Sequence, residues 1–297
     1  MSDFIPPFPP RLTEPPPIWR RLSIARRNFL EMWEEIAFEI EFSQERVFMR
    51  NSFLCNSPES VQFAFSQHNV SFERKAPQMR YALEPLLGDG LFISDGETWR
   101  KRRRIVAPIV HVSQLARFAP VMVEAATEVR DRWGKSEGQT VDVLVESATL
   151  TAEVICRTLF GRKLGRDHAR EIIDGFSDYQ RVIGQIDLLS LLGLPDWVPR
   201  WYGPSIRRSI VRIHKALDLV IESYRNEKQA DDDSMIRRLI EARDEETGEP
   251  LDPEALRNET AVLFMAGHET TANSLAWCWY LISQAPAVEA KLHRELD

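Results

Sequence analysis

Apolar residues recur at helical spacing over most of the chain after residue 95, and glycine and proline interrupt the pattern at intervals. Strand signals are sparse and confined to the first fifth of the chain. We therefore predict a mainly α fold with a small N-terminal β-sheet portion. The predicted helices span 97–110, 113–134, 142–160, 167–182, 204–227, 233–244 and 253–284, and another begins at 286.

The first 95 residues have a more mixed pattern. Residues 5–17 hold seven prolines, which predicts an extended, proline-rich lead-in over 1–17. The remaining predictions for this part are an amphipathic helix over 18–42, short strands at 47–50 and 52–55, a helix from Ser57 to Gln67 and a loop-rich segment over about 70–95.

Composition and charge narrow the class of protein. The net charge of −7 disfavours nucleic acid as a partner, because proteins that bind it are usually basic. Cys55, Cys156 and Cys278 stand far apart, which argues against a disulfide framework and favours a reducing, cytoplasmic location. We expect no signal peptide, because the chain begins Met1-Ser2-Asp3-Phe4 and runs into prolines without a charged region followed by an apolar stretch. We also expect no membrane anchor, because the most apolar stretch, 263–282, carries His268, Glu269 and Asn273 near its middle, where charge is costly.

The helix predicted over 253–284 is the longest in the chain. Asp252 suits the N-cap and Pro253 the first helical position, and no breaker follows before Pro286. Such a helix is about 45–50 Å long. From Leu263 onward its apolar residues lie on most sides, so we expect it to cross the protein interior.

A polar, small-residue segment interrupts this helix at Ala266, Gly267, His268, Glu269, Thr270 and Thr271. Glycine inside a helix costs about 1 kcal/mol relative to alanine, so its lack of bulk needs a reason. Two small residues let a flat cofactor or a diatomic ligand approach the backbone, a threonine can loosen the helix, and a buried carboxylate can deliver protons. The alternative is helix–helix packing through Ala266 and Gly267, with Glu269 paired to a buried cation. A zinc-protease site is excluded because Ala272 stands where the second histidine is needed.

This segment resembles the cytochrome P450 monooxygenases, whose long central helix carries Ala/Gly-Gly-x-Asp/Glu-Thr-Thr above the haem. The resemblance implies that Thr270 is the oxygen-activating hydroxyl and Glu269 the acid of a proton-delivery pair. It also implies that Ala266 and Gly267 line the oxygen pocket.

A second segment, from Gly96 to Arg104, resembles the same family, in which Trp-x-x-x-Arg binds a haem propionate. Trp99 and Arg103 are four residues apart and therefore share a helical face. An indole N–H and a guanidinium are suitable donors for a carboxylate. We expect their neighbours Arg100, Lys101 and Arg104 to be solvated and to attract an acidic electron donor.

The resemblance also implies partners. The chain would belong to an enzyme that uses O2, two electrons and an electron donor, a ferredoxin or a flavoprotein reductase, to oxygenate a small molecule. Residues 70–95 would form a variable loop over the substrate, and Ile186 to Trp201 an apolar lid, which favours an apolar substrate. Ordinary core packing is equally compatible with that second segment.

Two motifs of the family lie beyond the point where the sequence stops. These are Glu-x-x-Arg and the Phe-x-x-Gly-x-x-x-Cys loop whose thiolate binds the iron. None of the three cysteines has that context, so we predict no metal ligand here and interpret residues 1–297 as a single incomplete domain. The alternatives are a truncated, non-catalytic remnant or interaction protein, and a helical ligand-binding module with no haem ancestry.

Overall fold

The computed structural model describes residues 4–47, 49–135, 138–161, 166–183, 202–226 and 233–296. The chain divides into two compact units: a larger one of residues 1–4, 86–182 and 203–297, and a smaller one of 5–85 and 183–202. The expectation of a single domain therefore stays a prediction. None of the described helices combines the length and the apolar character that a membrane span requires.

The smaller unit begins with a segment that forms no helix before Ile18, in which Leu12 bridges to Glu34 and the chain bends at Thr13 and Glu14. Its extended conformation stays a prediction. Its elements are α1 (Ile18–Arg27), 3-10 turns at Phe29–Met32 and Glu35–Phe38, β1 (Phe42–Val47), β2 (Arg50–Cys55), α2 (Pro58–Gln62), a π turn (Phe63–Gln67), α3 (Asn69–Phe72) and α4 (Pro77–Leu87). β1 and β2 form an antiparallel hairpin in which Phe42 pairs with Cys55 and Val47 with Arg50. Two short antiparallel strands are present as predicted, but the bounds of the first were wrong: β1 ends at Val47, where that strand was expected to begin, and Arg50, expected to end it, begins β2.

The helix predicted over 18–42 was wrong beyond Arg27. Asn28 has an extended backbone, and its side chain accepts a hydrogen bond from the Leu30 N–H, which starts a separate 3-10 turn. Further along, the chain from Phe42 pairs with β2 instead of remaining helical. Local capping and strand pairing thus override a helical spacing of apolar residues.

The loop predicted over 70–95 was also wrong, because α4 occupies its middle despite an internal proline, Pro85. A proline cannot donate to the carbonyl four residues earlier, which leaves the Tyr81 carbonyl without its helical partner. The Tyr202 hydroxyl donates to that carbonyl at 3.2 Å, and the two tyrosine rings stack at 5.2 Å. A distant residue therefore satisfies the group that the proline leaves open.

The larger unit is helical, and its helices closely match the predicted ones. They are α5 (Gly96–Val106), α6 (Leu115–Gly134), α7 (Val143–Phe160), α8 (Arg166–Val182), α9 (Pro204–Asn226), α10 (Met235–Glu241), α11 (Pro253–Ser283) and α12 (Pro286–Leu296). α11 packs along α7, α9 packs on α8, and α6 packs on α7. The whole of the predicted apolar lid, 186–201, lies outside the described residues.

The start of α11 confirms the predicted cap: the Asp252 carboxylate accepts from the Ala255 N–H at 2.8 Å, and Pro253 follows it. The expectation that α11 crosses the interior holds only for its first half. Buried positions are dense up to Phe264, whereas beyond Ala266 most side chains are exposed, and Trp277 and Trp279 are more than half exposed. The described residues pack against the first half and leave these apolar side chains in contact with solvent.

Candidate functional site

The segment from Ala266 to Thr271 lies within an unbroken stretch of α11. The Thr270 hydroxyl donates to the Ala266 carbonyl at 2.6 Å, one turn earlier. This is the back-bonding expected of threonine in a helix, and it gives that carbonyl a second donor. The hydrogen bond fixes where the hydroxyl oxygen of Thr270 lies, next to the small side chain of Ala266.

One side of the segment faces α7. His268 is buried, its carbonyl accepts from the Thr151 hydroxyl at 2.9 Å, and its ring lies 5.9 Å from that of Phe264. Burial lowers the pKa of His268, although a hydrogen bond with the backbone of Ala148 opposes the shift. His268 is therefore a packing residue between the two helices.

Gly267 faces α7 as well. A Cβ atom at this position would lie 2.7 Å from Cδ1 and 3.0 Å from Cγ1 of Ile155. Such distances are too short for carbon atoms that are not bonded, so the missing side chain has a packing reason. This favours the helix-packing alternative for Gly267, and its place in an oxygen pocket stays a prediction.

Replacing Gly267 with alanine should lower the free energy of unfolding by about 1–2 kcal/mol, because overpacking against Ile155 outweighs the gain in helix propensity. The same substitution in an Ile155→Ala background should instead stabilise the protein by about 0.5–1 kcal/mol. Urea unfolding of the four proteins measures both effects. Stabilisation of equal size in the two backgrounds would show that Ile155 does not determine the glycine.

The other side of the segment carries Ala266, Glu269 and Thr270, which are all exposed. Residues three and four apart lie next to each other on a helix, so these three share one face. Glu269 was expected to be buried, and this was wrong because its face points away from α7. The described residues thus leave a small side chain, a hydroxyl and a carboxylate side by side and accessible.

α5 carries the second predicted segment. Trp99 is half-buried and Arg103 is exposed, and the guanidinium carbon of Arg103 lies 5.4 Å from the centre of the Trp99 ring. They border an open cleft of about 830 Å³. Other residues along this cleft are Arg104, Ala107, Pro108 and His111. The predicted pairing of Trp99 and Arg103 on one helical face is confirmed.

The neighbouring basic residues of α5 are paired rather than simply solvated. The Arg104 guanidinium lies 3.0 Å from a carboxylate oxygen of the buried Asp244 and 3.0 Å from one of the exposed Glu246. The expectation of a solvated Arg104 was therefore wrong. The Glu246 N–H, followed by the Arg104 guanidinium, lowers the pKa of Asp244 against the opposing effect of burial. Lys101 reaches Glu249 at 3.3 Å and Arg100 reaches Glu97 at 2.8 Å.

A buried cluster next to α5 was missed at the level of sequence. Glu259 of α11 is fully buried, accepts from the Leu91 N–H at 2.9 Å and lies 3.5 Å from Nε of Arg102. The sequence signal that could have indicated this cluster is the position of Glu259 in the first part of α11, among apolar residues. Burial raises the pKa of Glu259 to about 7, and the nearby Arg102 opposes that shift.

A family model described as cytochrome P450 matches residues 14–297. This chain belongs to the cytochrome P450 family. The predicted resemblance to this family is thereby confirmed, and the helices of the structure confirm the mainly α fold.

Related proteins and solved structures agree. The chain is 30% identical over 221 residues to cyclooctatin synthase and 29% identical over 217 residues to cyclooctat-9-en-7-ol 5-monooxygenase, both from Streptomyces melanosporofaciens. These matches cover 72% and 71% of the chain but only 46% and 45% of the relatives. A crystal structure of a cytochrome P450DA haem-domain mutant superposes with a TM-score of 0.74 at 23% identity, covering 99% of this chain and 63% of that one. At that identity the superposition shows the fold alone.

Haem is the cofactor that the P450 family implies, and the cleft beside α5 fits its carboxylate end. The Trp99 indole N–H and the Arg103 guanidinium are donors for a propionate, and Ala107 and Pro108 add apolar surface. Among the cysteines, Cys156 is buried in α7, and burial raises the pKa of its thiol to about 12. Cys278 lies exposed on α11 and Cys55 lies at the end of β2.

Proposed function

We propose that this chain forms part of a haem-dependent monooxygenase that oxygenates an apolar small molecule with O2 and two electrons. The observation that carries the proposal is the pair of Trp99 and Arg103 beside an open cleft, with the guanidinium carbon of Arg103 at 5.4 Å from the centre of the Trp99 ring. When bound, haem supplies the iron chemistry that activates dioxygen. The residues of this chain bind and orient the cofactor and move protons.

Trp99 and Arg103 hold a haem propionate in this proposal. A charged hydrogen bond of this kind contributes about 1.5–3 kcal/mol, which corresponds to a factor of about 10–100 in affinity. The exposure of Arg103 supports the role, because a guanidinium already engaged by buried carboxylates could not turn towards a ligand.

Thr270 and Glu269 deliver protons to the oxygen site. The Thr270 hydroxyl, which donates to the Ala266 carbonyl, keeps its lone pairs available to accept from a water molecule or a ligand. Glu269 is exposed one position earlier, so its carboxyl group can exchange protons with solvent. The methyl group of Ala266 leaves room beside the hydroxyl, and Gly267 brings α11 close to α7.

The substrate class and the electron donor are also part of the proposal. A relative named for the oxygenation of cyclooctat-9-en-7-ol supports an apolar small molecule as substrate. The electron donor is a ferredoxin or a flavoprotein reductase. Arg100 and Lys101, each about one third exposed, leave partly accessible positive charge on α5, which suits an acidic donor.

The test uses the longest natural reading frame that contains these residues. Its reduced form should give the carbon monoxide difference spectrum of a thiolate-ligated haem, and Arg103→Met should weaken haem binding by about 10–100-fold. Arg130→Met, which removes a largely exposed cation from α6, is the control and should leave affinity unchanged. A protein that binds no haem would instead be a non-catalytic remnant or interaction protein.

A further inference from the structure

A charged cluster joins α5 to α11. The fully buried Glu259 carboxylate accepts from the Leu91 N–H, with Oε1 at 2.9 Å and Oε2 at 3.2 Å. Oε1 of Glu259 also lies 3.5 Å from Nε of Arg102, whose side chain is 9% exposed. One carboxylate thus holds both the loop before α5 and the helix itself.

The same guanidinium extends to the loop. Nη2 of Arg102 donates to both carboxylate oxygens of Asp89, to Oδ1 at 3.1 Å and to Oδ2 at 3.2 Å. The side-chain amide of Asn258 also donates to Oδ1 of Asp89, at 3.3 Å. The loop contacts α11 closely at Gly88 and Gly90. A Cβ atom at Gly88 would lie 2.2 Å from the side chain of Asn258, and a Cβ atom at Gly90 would lie 2.8 Å from the side chain of Val262. Arg102 therefore lies between two carboxylates in closely packed surroundings.

A buried ion pair of this kind is weak evidence for stability, because removing charges from water costs about as much as their attraction returns. Its geometric consequence is more specific. Successive residues on a helix are about 100° apart, so a fixed direction for Arg102 also fixes the directions of Trp99 and Arg103. Arg104 follows Arg102 by about 200° and pairs with the buried Asp244 on another side of α5. This second contact keeps α5 docked when Arg102 is replaced, but the helix then loses one of the two contacts that together set its rotation.

We propose that Glu259 and Arg102 are positioning residues that set the rotation of α5 and so aim Trp99 and Arg103 at the haem propionate. The inference rests on the proposed function, because it assigns a role relative to the same haem site. Neither Glu259 nor Arg102 touches the cofactor in this role.

The experiment compares the affinity of the protein for haem with its affinity for haem dimethyl ester, whose propionates are blocked. The ratio of the two affinities reports the propionate contacts alone. Arg102→Met should reduce this ratio about tenfold while leaving the affinity for the ester unchanged, the size of effect that supporting residues have on the groups they orient. Arg102→Lys, which keeps a cation beside Glu259, should recover part of the ratio.

Two further variants keep the test decisive. Arg102→Met combined with Glu259→Gln leaves no unpaired buried charge, so it should fold and still show the reduced ratio. Lys101→Met removes the adjacent positive charge, whose partner Glu249 is mostly exposed, and should leave the ratio as in the wild type. An unchanged ratio in the double variant, or equal losses for haem and its ester, would overturn the positioning role. A wild-type ratio near one would instead contradict the proposed propionate site.

Discussion

Replacing Phe264 with alanine should lower the free energy of unfolding by about 3–5 kcal/mol. Its side chain is fully buried, and its ring lies 4.6 Å from that of Phe176 on α8, in tilted contact. The substitution leaves a cavity where α11 meets α8, two residues before the segment that begins at Ala266. Urea unfolding monitored by circular dichroism measures the loss, with Phe65→Ala as the control because Phe65 is 73% exposed.

The control should change stability by no more than about 0.5 kcal/mol. Because Phe176 and Phe264 contact each other, replacing both should cost less than the sum of the single losses, with a coupling of about 0.5–3 kcal/mol. Strict additivity, or a loss at Phe264 no larger than at Phe65, would mean that this part of α11 is not a packed core.

The helices after residue 95 could be predicted because their boundaries have local causes. Asp252 caps α11 and Asp142 caps α7 through side-chain bonds to nearby N–H groups. α4 could not be predicted in the same way, since Pro85 is tolerated through the hydroxyl of Tyr202, a residue 121 positions from the carbonyl that it satisfies. Helix caps can be predicted from neighbouring residues in the sequence, whereas a hydrogen bond from a distant residue to an open carbonyl cannot.

The candidate site follows the same division. The sequence indicates that Ala266, Glu269 and Thr270 share a helical face, because that depends only on spacing. It does not indicate which face meets α7, so the contact of Gly267 with Ile155 was not foreseen. Periodicity defines faces, and only the packing of other helices assigns them to core or site.

The buried cluster was inaccessible to sequence reasoning for another reason. Glu259 and Leu91 are 168 residues apart, and the partner is a backbone N–H that any residue type other than proline would supply. Arg102 in turn stands in a run of basic residues whose members have different partners: Asp89 and Glu259 for Arg102, Asp244 for Arg104. Residue type alone cannot separate the buried member of such a run from the exposed ones.

Glu259 should make the protein less stable as the pH rises from about 4.5 to 7, by about 3 kcal/mol in total. Burial raises the pKa of its carboxyl group to about 7 in the folded protein, against an ordinary value of 4.5. Between these values the folded state binds a proton that the unfolded state has released, so raising the pH favours unfolding. Above about pH 8 the group is ionised in both states and its effect becomes constant.

Glu259→Gln isolates this effect, because it replaces the carboxyl group with an amide of similar shape that does not titrate. Burial lowers the pKa of His214 and His268, so these two groups destabilise the folded protein as the pH falls, which is the opposite direction. They are common to both proteins and cancel when the variant's unfolding free energy is subtracted from that of the wild type. The remaining difference should change by about 3 kcal/mol between pH 4.5 and about 8 and be flat above that. Any constant offset from the lost attraction to Arg102 leaves this slope untouched.

Glu97→Gln, at an 85% exposed position on α5, is the control for the substitution itself. A flat difference for Glu259→Gln over the whole range would mean that the carboxylate stays ionised next to Arg102 at every pH tested, and that the ion pair outweighs the burial.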